Sequence, residues 1–315
     1  MRLPLLALFG LAASVASAKA LQVYILAGQS NMEGQSVVDL TGKNYNEGRG
    51  TLVEVMARPE NAERYAHLRA KDGSWVVRKD VWIRYQREKQ PLLVGELSVG
   101  YAVYGDKHHF GPELQFGHVV GEATRDQVLL IKTAWGGKSL FRDFRPPSAG
   151  GVVGPYYVKM LAEVRAALAD LKKDFPSYDG SPVELAGFIW YQGWNDGVNP
   201  QTAVPEYEQN LAHLIRDVRK ELKAPKLPIV IGELTGPWVD APKEWTALRQ
   251  AQANVALMPE FKDTVVFVPT REFVRKPADS PNPSHGHHEF GNAETYFLVG
   301  DALGKAAVQM AGRGK

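Results

Sequence analysis

Gly28-Gln29-Ser30-Asn31-Met32 puts a serine hydroxyl directly after an apolar run, on what reads as a sharp strand-to-helix turn. Glycine permits such a turn, and amides at the start of the following helix point toward an anion developing beside the hydroxyl. That is the setting of an activated serine nucleophile in an α/β protein. The same serine would also suit a helix N-cap, and this segment alone does not separate the two.

Two later loops could face Ser30. Trp135-Gly136-Gly137-Lys138-Ser139 offers a double glycine, which lets backbone amides approach a substrate oxygen. Gln192-Gly193-Trp194-Asn195-Asp196 offers the Gln192 carboxamide as a neutral donor, so that the two loops together would make an oxyanion hole. Gly-Gly is also an ordinary helix entry, and a buried Gln also satisfies backbone groups. The general base must be an imidazole on a loop able to reach the same place. His285-Gly286-His287-His288-Glu289-Phe290-Gly291-Asn292 holds three of the eight histidines and is the best candidate region. A metal site shared with His108 and His109 competes with this reading, but paired carboxylates at ligand spacing are missing, and no metal is expected.

These loops need a scaffold that brings them to one edge. Leu21 to Ala27, Val128 to Ala134, Val183 to Tyr191, Leu227 to Ile231 and Thr264 to Val268 are short β-rich runs of the kind found in parallel strands covered on both faces. Between them, Tyr157, Met160, Leu161, Val164, Leu168 and Leu171 share one helical face, as do Leu211, Leu214, Ile215, Val218 and Leu222. A last helix from Ala293 packs through Tyr296, Val299 and Leu303. This alternation predicts an α/β three-layer sandwich, a central parallel sheet flanked by helices, with active residues at the carboxyl ends of strands. Gln35 to Phe110 breaks the rhythm and reads as a β-rich insertion after the first strand, at about residues 35–110, decorating a single domain that spans 21–315.

Composition narrows the chemistry. With no cysteine, thiol nucleophiles, zinc ribbons and Fe–S ligation are excluded, and covalent catalysis falls to Ser, Thr, Lys, Asp or Glu. A formal charge of +2, without blocks of like charge, is too small for a nucleic-acid partner. Arg2, the apolar run from Leu3 to Val15 and the small residues Ala16-Ser17-Ala18 read as a signal peptide over residues 1–20, too short to span a bilayer. The expected location is the periplasm or the cell exterior, with no membrane span after cleavage.

The four blocks Gly28-Gln29-Ser30-Asn31-Met32, Trp135-Gly136-Gly137, Trp190-Tyr191-Gln192-Gly193 and His288 stand in the order of one family. The chain resembles the SGNH hydrolases, which are flavodoxin-like in architecture, and among them the sialate O-acetylesterase-like carbohydrate esterases that include acetyl xylan esterases. The resemblance implies Ser30 as nucleophile, Gly136 or Gly137 and the Gln192 side chain as oxyanion donors, and His288, three residues before Gly291, as base. The Pro112-Glu113 pair also resembles a family block. One departure matters: family members often carry an aspartate three before the histidine, and here that position is His285. Asp279 is the favoured acid, Asp196 the alternative, and a Ser-His dyad the third arrangement.

The reaction implied is removal of O-acetyl groups from a carbohydrate through an acyl-serine, with no cofactor. Trp194, Trp135, Tyr191 and Trp238 are candidate sugar contacts by stacking, and Arg145 and Arg142 candidate contacts for an acidic sugar. Two other readings stay open: a carbohydrate-binding protein on an inactive esterase scaffold, and a thioesterase or lipase-like hydrolase. Oligomeric state has no sequence signal.

Overall fold

A computed structural model describes residues 19–236 and 241–313 of the chain. Its strands are β1 (Leu21–Gly28), β2 (Ser36–Val37), β3 (Arg78–Gln86), β4 (Leu92–Leu97), β5 (His109–Phe110), β6 (Gln127–Ala134), β7 (Val183–Tyr191), β8 (Ile229–Gly232) and β9 (Val265–Val268). Its helices are α1 (Ser30–Glu33), α2 (Leu52–Ala57), α3 (Ala62–Tyr65), α4 (Glu113–Glu122), α5 (Pro155–Ala169), α6 (Leu171–Asp174), α7 (Trp194–Gly197), α8 (Val204–Glu221), α9 (Lys243–Leu257) and α10 (Ala293–Arg313). The expected leader at 1–20 lies almost wholly outside the described residues, and Trp238 lies outside them too.

Seven strands form the central sheet in the order β4-β3-β6-β1-β7-β8-β9, all parallel except β4, which runs against β3. This is the α/β sandwich that the alternating runs imply. Side chains of β1 alternate between the faces, as a strand's period of two requires. Leu21, Val23, Ile25 and Ala27 join the core under α5, α8 and α9, while Tyr24 and Leu26 join the one under α4 and α10.

The segment after β1 differs from the expectation of a decorating hairpin. Its second half is structural: β3 pairs in parallel with β6 and carries β4 as the sheet's edge. Val81 to Tyr85 are all buried, Arg84 included, because its guanidinium is taken by Asp174 at 2.8 Å and Glu163 at 3.2 Å. The first half, with helices α2 and α3 and with β2 paired antiparallel to β5 from the segment's end, packs Val38, Leu52, Val55 and Tyr65 against Tyr296 and Phe297 of α10. Among the described residues no helix is long and apolar enough to cross a membrane.

Register sets the site. Gly28 lies opposite Ala134 on one side and Tyr191 on the other, so β1, β6 and β7 end level with one another. The chain departs from β1 toward one half of the sheet and returns to build the other half from β7, which makes this edge the topological switch point where α/β sheets bind ligands.

Candidate active site

The turn after β1 depends on Gly28, where a methyl group would lie 2.1 Å from the Tyr191 carbonyl oxygen. α1 begins at Ser30 and its N-cap position is Gln29, so Ser30 is not the cap. The Ser30 hydroxyl makes no hydrogen bond among the described residues, although the residue is only 6% exposed. Gln29, rather than capping its own helix, reaches across to the third loop. Its Oε1 accepts from the Gly193 and Asn195 amides and from Gln192 Nε2, each at 3.2 Å, and its Nε2 donates to Asn195 Oδ1 at 3.1 Å.

The second loop is fastened to the third by Asp196. Its buried carboxylate accepts from the Leu140 and Phe141 amides at 2.8 Å and from Gln192 Nε2 at 2.7 Å. Burial pushes this carboxyl up to about 6 against the pull of those donors. Asp196 is thus consumed in holding loops and does not serve His288. Gln192 is consumed as well: its Nε2 faces Gln29 Oε1, the Lys138 carbonyl at 3.0 Å and Asp196, while its Oε1 accepts from Tyr207 at 3.1 Å. Its two amide hydrogens thus already face three protein acceptors, whereas the resemblance implies Gln192 as an oxyanion donor. Asn195, three residues along the same loop and without a sequence signal that marks it, carries a second carboxamide at this edge. Its Oδ1 is fixed by Gln29, its Nδ2 is spent on no acceptor among the described residues, and a methyl on Gly137 would lie 4.0 Å from that nitrogen.

Gly136 packs against α1, where a methyl would lie 3.8 Å from Ser30 Cβ and 2.9 Å from Glu33 Oε2. Glu33 is thereby a carboxyl group beside the serine. Burial pushes it up to about 7, opposed by the Tyr85 hydroxyl at 2.8 Å, the nearby Lys132 and the Gly136 amide. Gly137 has φ +70°, a value that favours glycine, and is exposed. Lys132, fully buried at the end of β6, donates to the Glu33 carbonyl at 2.6 Å, the Tyr101 carbonyl at 2.8 Å and Glu113 Oε2 at 2.8 Å. The Pro112-Glu113 block therefore supplies a buried ion pair that anchors the C-terminal end of α1.

His288 sits on the turn Gly286–Gly291 before α10, and this turn meets the serine turn through the adjacent residues. Asn31 Nδ2 donates to Glu289 Oε1 at 2.9 Å, and the Tyr296 hydroxyl reaches both Asn31 Oδ1 at 2.8 Å and the His288 carbonyl at 3.3 Å. Burial, then repulsion from His287 and His285, lowers the His288 imidazole to about 3, so it is a neutral base at ordinary pH. Its ring bonds no carboxylate among the described residues. The expectation that Asp279 orients it is not supported by the geometry: Asp279 is exposed, its carboxylate bonds nothing among the described residues, and only its carbonyl is used, by Asn292 Nδ2 at 3.1 Å. His285 and His287 are exposed. The His287 ring lies 4.1 Å from that of His288 and 6.0 Å from that of Trp194.

The competing metal cluster is not assembled: His108 turns to Asp39 at 2.6 Å and His109 to Asp106 at 2.8 Å, and among the described residues no three His, Cys, Asp or Glu side chains converge. Of the sugar-contact residues, Trp194 is half-buried beside Trp245, at 4.6 Å between rings. Trp135 is fully buried, its indole N–H donating to the Gln86 carbonyl at 3.0 Å and its ring packed on Phe144 and Tyr156, so it has no face for a sugar. Arg145 spends its guanidinium on the Phe141, Ala149 and Gly150 carbonyls and on Glu206, which removes it as an acidic-sugar contact. Arg142 is highly exposed, with only a 3.5 Å contact to Asp143.

Comparison with known proteins is decisive at the family level. The family model described as "Carbohydrate esterase, sialic acid-specific acetylesterase" matches residues 20–294. This chain belongs to that family. It is accordingly a carboxylic ester hydrolase. Over 212 residues, 66% of this chain and 67% of the other, it is 26% identical to a probable carbohydrate esterase of Arabidopsis thaliana. The esterase shares its fold with a solved Arabidopsis thaliana protein (TM-score 0.56, 17% identity, 92% of this chain and 98% of the other). It shares it also with a carbohydrate acetylesterase from Xanthomonas citri (0.56, 16%, 93% and 57%) and with NanS (0.55, 14%, 96% and 100%).

Proposed function

We propose that this esterase removes O-acetyl groups from carbohydrates by acyl transfer through Ser30, and that it is exported by its N-terminal leader. The observation that carries this is the level ending of β1, β6 and β7, which puts an unbonded serine hydroxyl, an open Gly137 and the fixed Asn195 carboxamide at one sheet edge, with the turn of neutral His288 tied to α1.

Ser30 Oγ attacks the acetyl carbonyl carbon while its proton passes to His288. The oxyanion is held by the amides of Ser30 and Gly137 and by Asn195 Nδ2. Gly136, whose amide faces Glu33, contributes room rather than a donor. The C–O bond to the sugar breaks, and His288 returns the proton to the departing sugar oxygen. Water then adds to the acyl-serine with the same imidazole as base, releasing acetate and restoring Ser30. In this mechanism His288 works without a carboxylate on its ring, and Trp194, whose ring lies 6.0 Å from that of His287, is the sugar contact. Ser30→Ala should abolish turnover of p-nitrophenyl acetate with the fold intact; an unchanged rate overturns the assignment. The thioesterase or lipase-like alternative predicts rates that rise with acyl length, whereas this reading predicts a steep fall beyond acetyl.

A further inference from the structure

Glu289 is a fully buried carboxyl group with no role in the acyl transfer described above. Its Oε1 accepts from Asn31 Nδ2 at 2.9 Å and from the Gly236 amide at 3.0 Å, while its Oε2 has no partner among the described residues. That second oxygen is pressed onto the backbone: a methyl on Gly236 would lie 1.9 Å from it. The main chain here is also unusual. Glu289 and Phe290, at φ +51° and +57°, lead into Gly291 at +68°, so three successive residues, two of them with side chains, occupy the left-handed region. L-residues stay there only where their surroundings hold them, and such strain gathers at functional sites. The turn reverses the chain immediately after His288. It is braced on both sides, by Glu289 to Asn31 and by Tyr296 to Asn31 and to the His288 carbonyl.

We infer that Glu289 is a positioning residue of this esterase, its carboxyl group setting the His288 turn against the Ser30 turn through Asn31. The inference rests on the acyl-serine reading proposed above. It has a consequence for pH. Burial pushes the carboxyl up to about 8, against the pull of the Gly236 amide and of Arg249, so the brace is neutral at pH 7 and becomes a buried charge above about 8. The groups facing it from the surrounding elements are Asn31 of α1, Tyr191 of β7, Arg249 of α9 and Tyr296 of α10, with His288 next to it in the chain; Glu233, after β8, lies behind Tyr191 and Arg249. Tyr191 and Tyr296 are held well above their usual range by burial, so neither takes over the titration, while Glu233 is paired with Arg271 and Arg249 donates to the Leu234 and Thr235 carbonyls. Glu33, about 7, ionises lower and is common to wild type and variant.

The test compares wild type, Glu289→Gln and Glu289→Ala, full length, by kcat and KM for p-nitrophenyl acetate from about pH 6 to 10, with circular dichroism to confirm folding. Glu289→Ala should lose about 100-fold in kcat at pH 7 with KM little changed, the scale of a misplaced catalytic group. Glu289→Gln, which keeps an acceptor for Asn31 and Gly236 and cannot ionise, should stay within about threefold of wild type at pH 7 and should lack the alkaline fall near pH 8. A Gln variant with the wild-type alkaline limb overturns the proposal even if the Ala variant does not fold, as does a folded Ala variant of near-normal kcat. A wild type that neither turns over the ester nor is labelled at Ser30 by a fluorophosphonate overturns the esterase reading and this one with it; active, labelled wild type with unaffected variants overturns this one alone.

Discussion

Lys132→Met removes the ammonium that closes α1, the short helix beginning at Ser30, while keeping most of its hydrocarbon volume. Three hydrogen bonds disappear, to the Glu33 carbonyl, the Tyr101 carbonyl and Glu113 Oε2. Both side chains of the ion pair are 0% exposed, so water does not replace the lost partner, and among the described residues Glu113 is left buried with only the Gly111 amide at 2.8 Å. Breaking a buried pair by removing one member costs about 3–5 kcal/mol, against a total stability of about 5–15 kcal/mol for a domain. The loss should appear in urea unfolding followed by tryptophan fluorescence. Because the cost is chiefly that of stranding Glu113, the double variant Lys132→Met/Glu113→Gln should recover about 1–3 kcal/mol relative to the sum of the single variants. The folded fraction should also lose activity, since the Glu33 carbonyl that Lys132 holds ends the helix beginning at Ser30. A single-variant cost below about 1 kcal/mol, or strictly additive variants, would refute the claim that this pair anchors the serine turn.

Asn195→Ala should lower kcat for p-nitrophenyl acetate by about 100-fold, the usual cost of one oxyanion donor, while leaving KM nearly unchanged; an effect confined to KM contradicts the assignment. The pH profile offers a second check: His288 is lowered to about 3, so if it is the base proposed, its protonation should not limit kcat/KM between about pH 5 and 7, in contrast to an ordinary histidine near 6.5. An acid limb near 6.5 in folded enzyme, lost in His288→Gln, would show that the imidazole is not desolvated. The same shift makes folding less favourable as pH falls from about 6.5 toward 3, because the unfolded chain takes up the proton first. Trp194→Ala should raise KM for an acetylated oligosaccharide about five- to tenfold and leave p-nitrophenyl acetate unaffected; equal effects on both would mark a structural role.

The strands that position the site were legible because their physics is local. β1, β6 and β7 each hold an unbroken apolar stretch, Val23 to Gly28, Val128 to Ile131 and Leu185 to Tyr191, and burial on both faces forbids much else. β3 reads in the sequence as part of the insertion because Arg84 cuts its apolar run to Val81-Trp82-Ile83, and the partners of Arg84, Glu163 and Asp174, come from helices some 80 to 90 residues away. The site divides the same way. Ser30 and the His288 loop follow from residue type and position after or before an element, whereas the fates of Gln192 and Asn195 depend on which amide is taken by Gln29, Asp196 and Tyr207. Asp279 was attractive only for its nearness in sequence. Glu289, a polar residue in a polar loop, reads as solvated until the fold closes Gly236 and Asn31 over it.

The central claim is that Ser30 carries the acyl group. Reaction of the folded enzyme with a fluorophosphonate, followed by peptide mapping, tests it most directly. The account predicts one adduct, on Ser30, whose formation is slowed in His288→Gln. Labelling at another serine, or acetate release by an enzyme that resists the probe at Ser30, would contradict it.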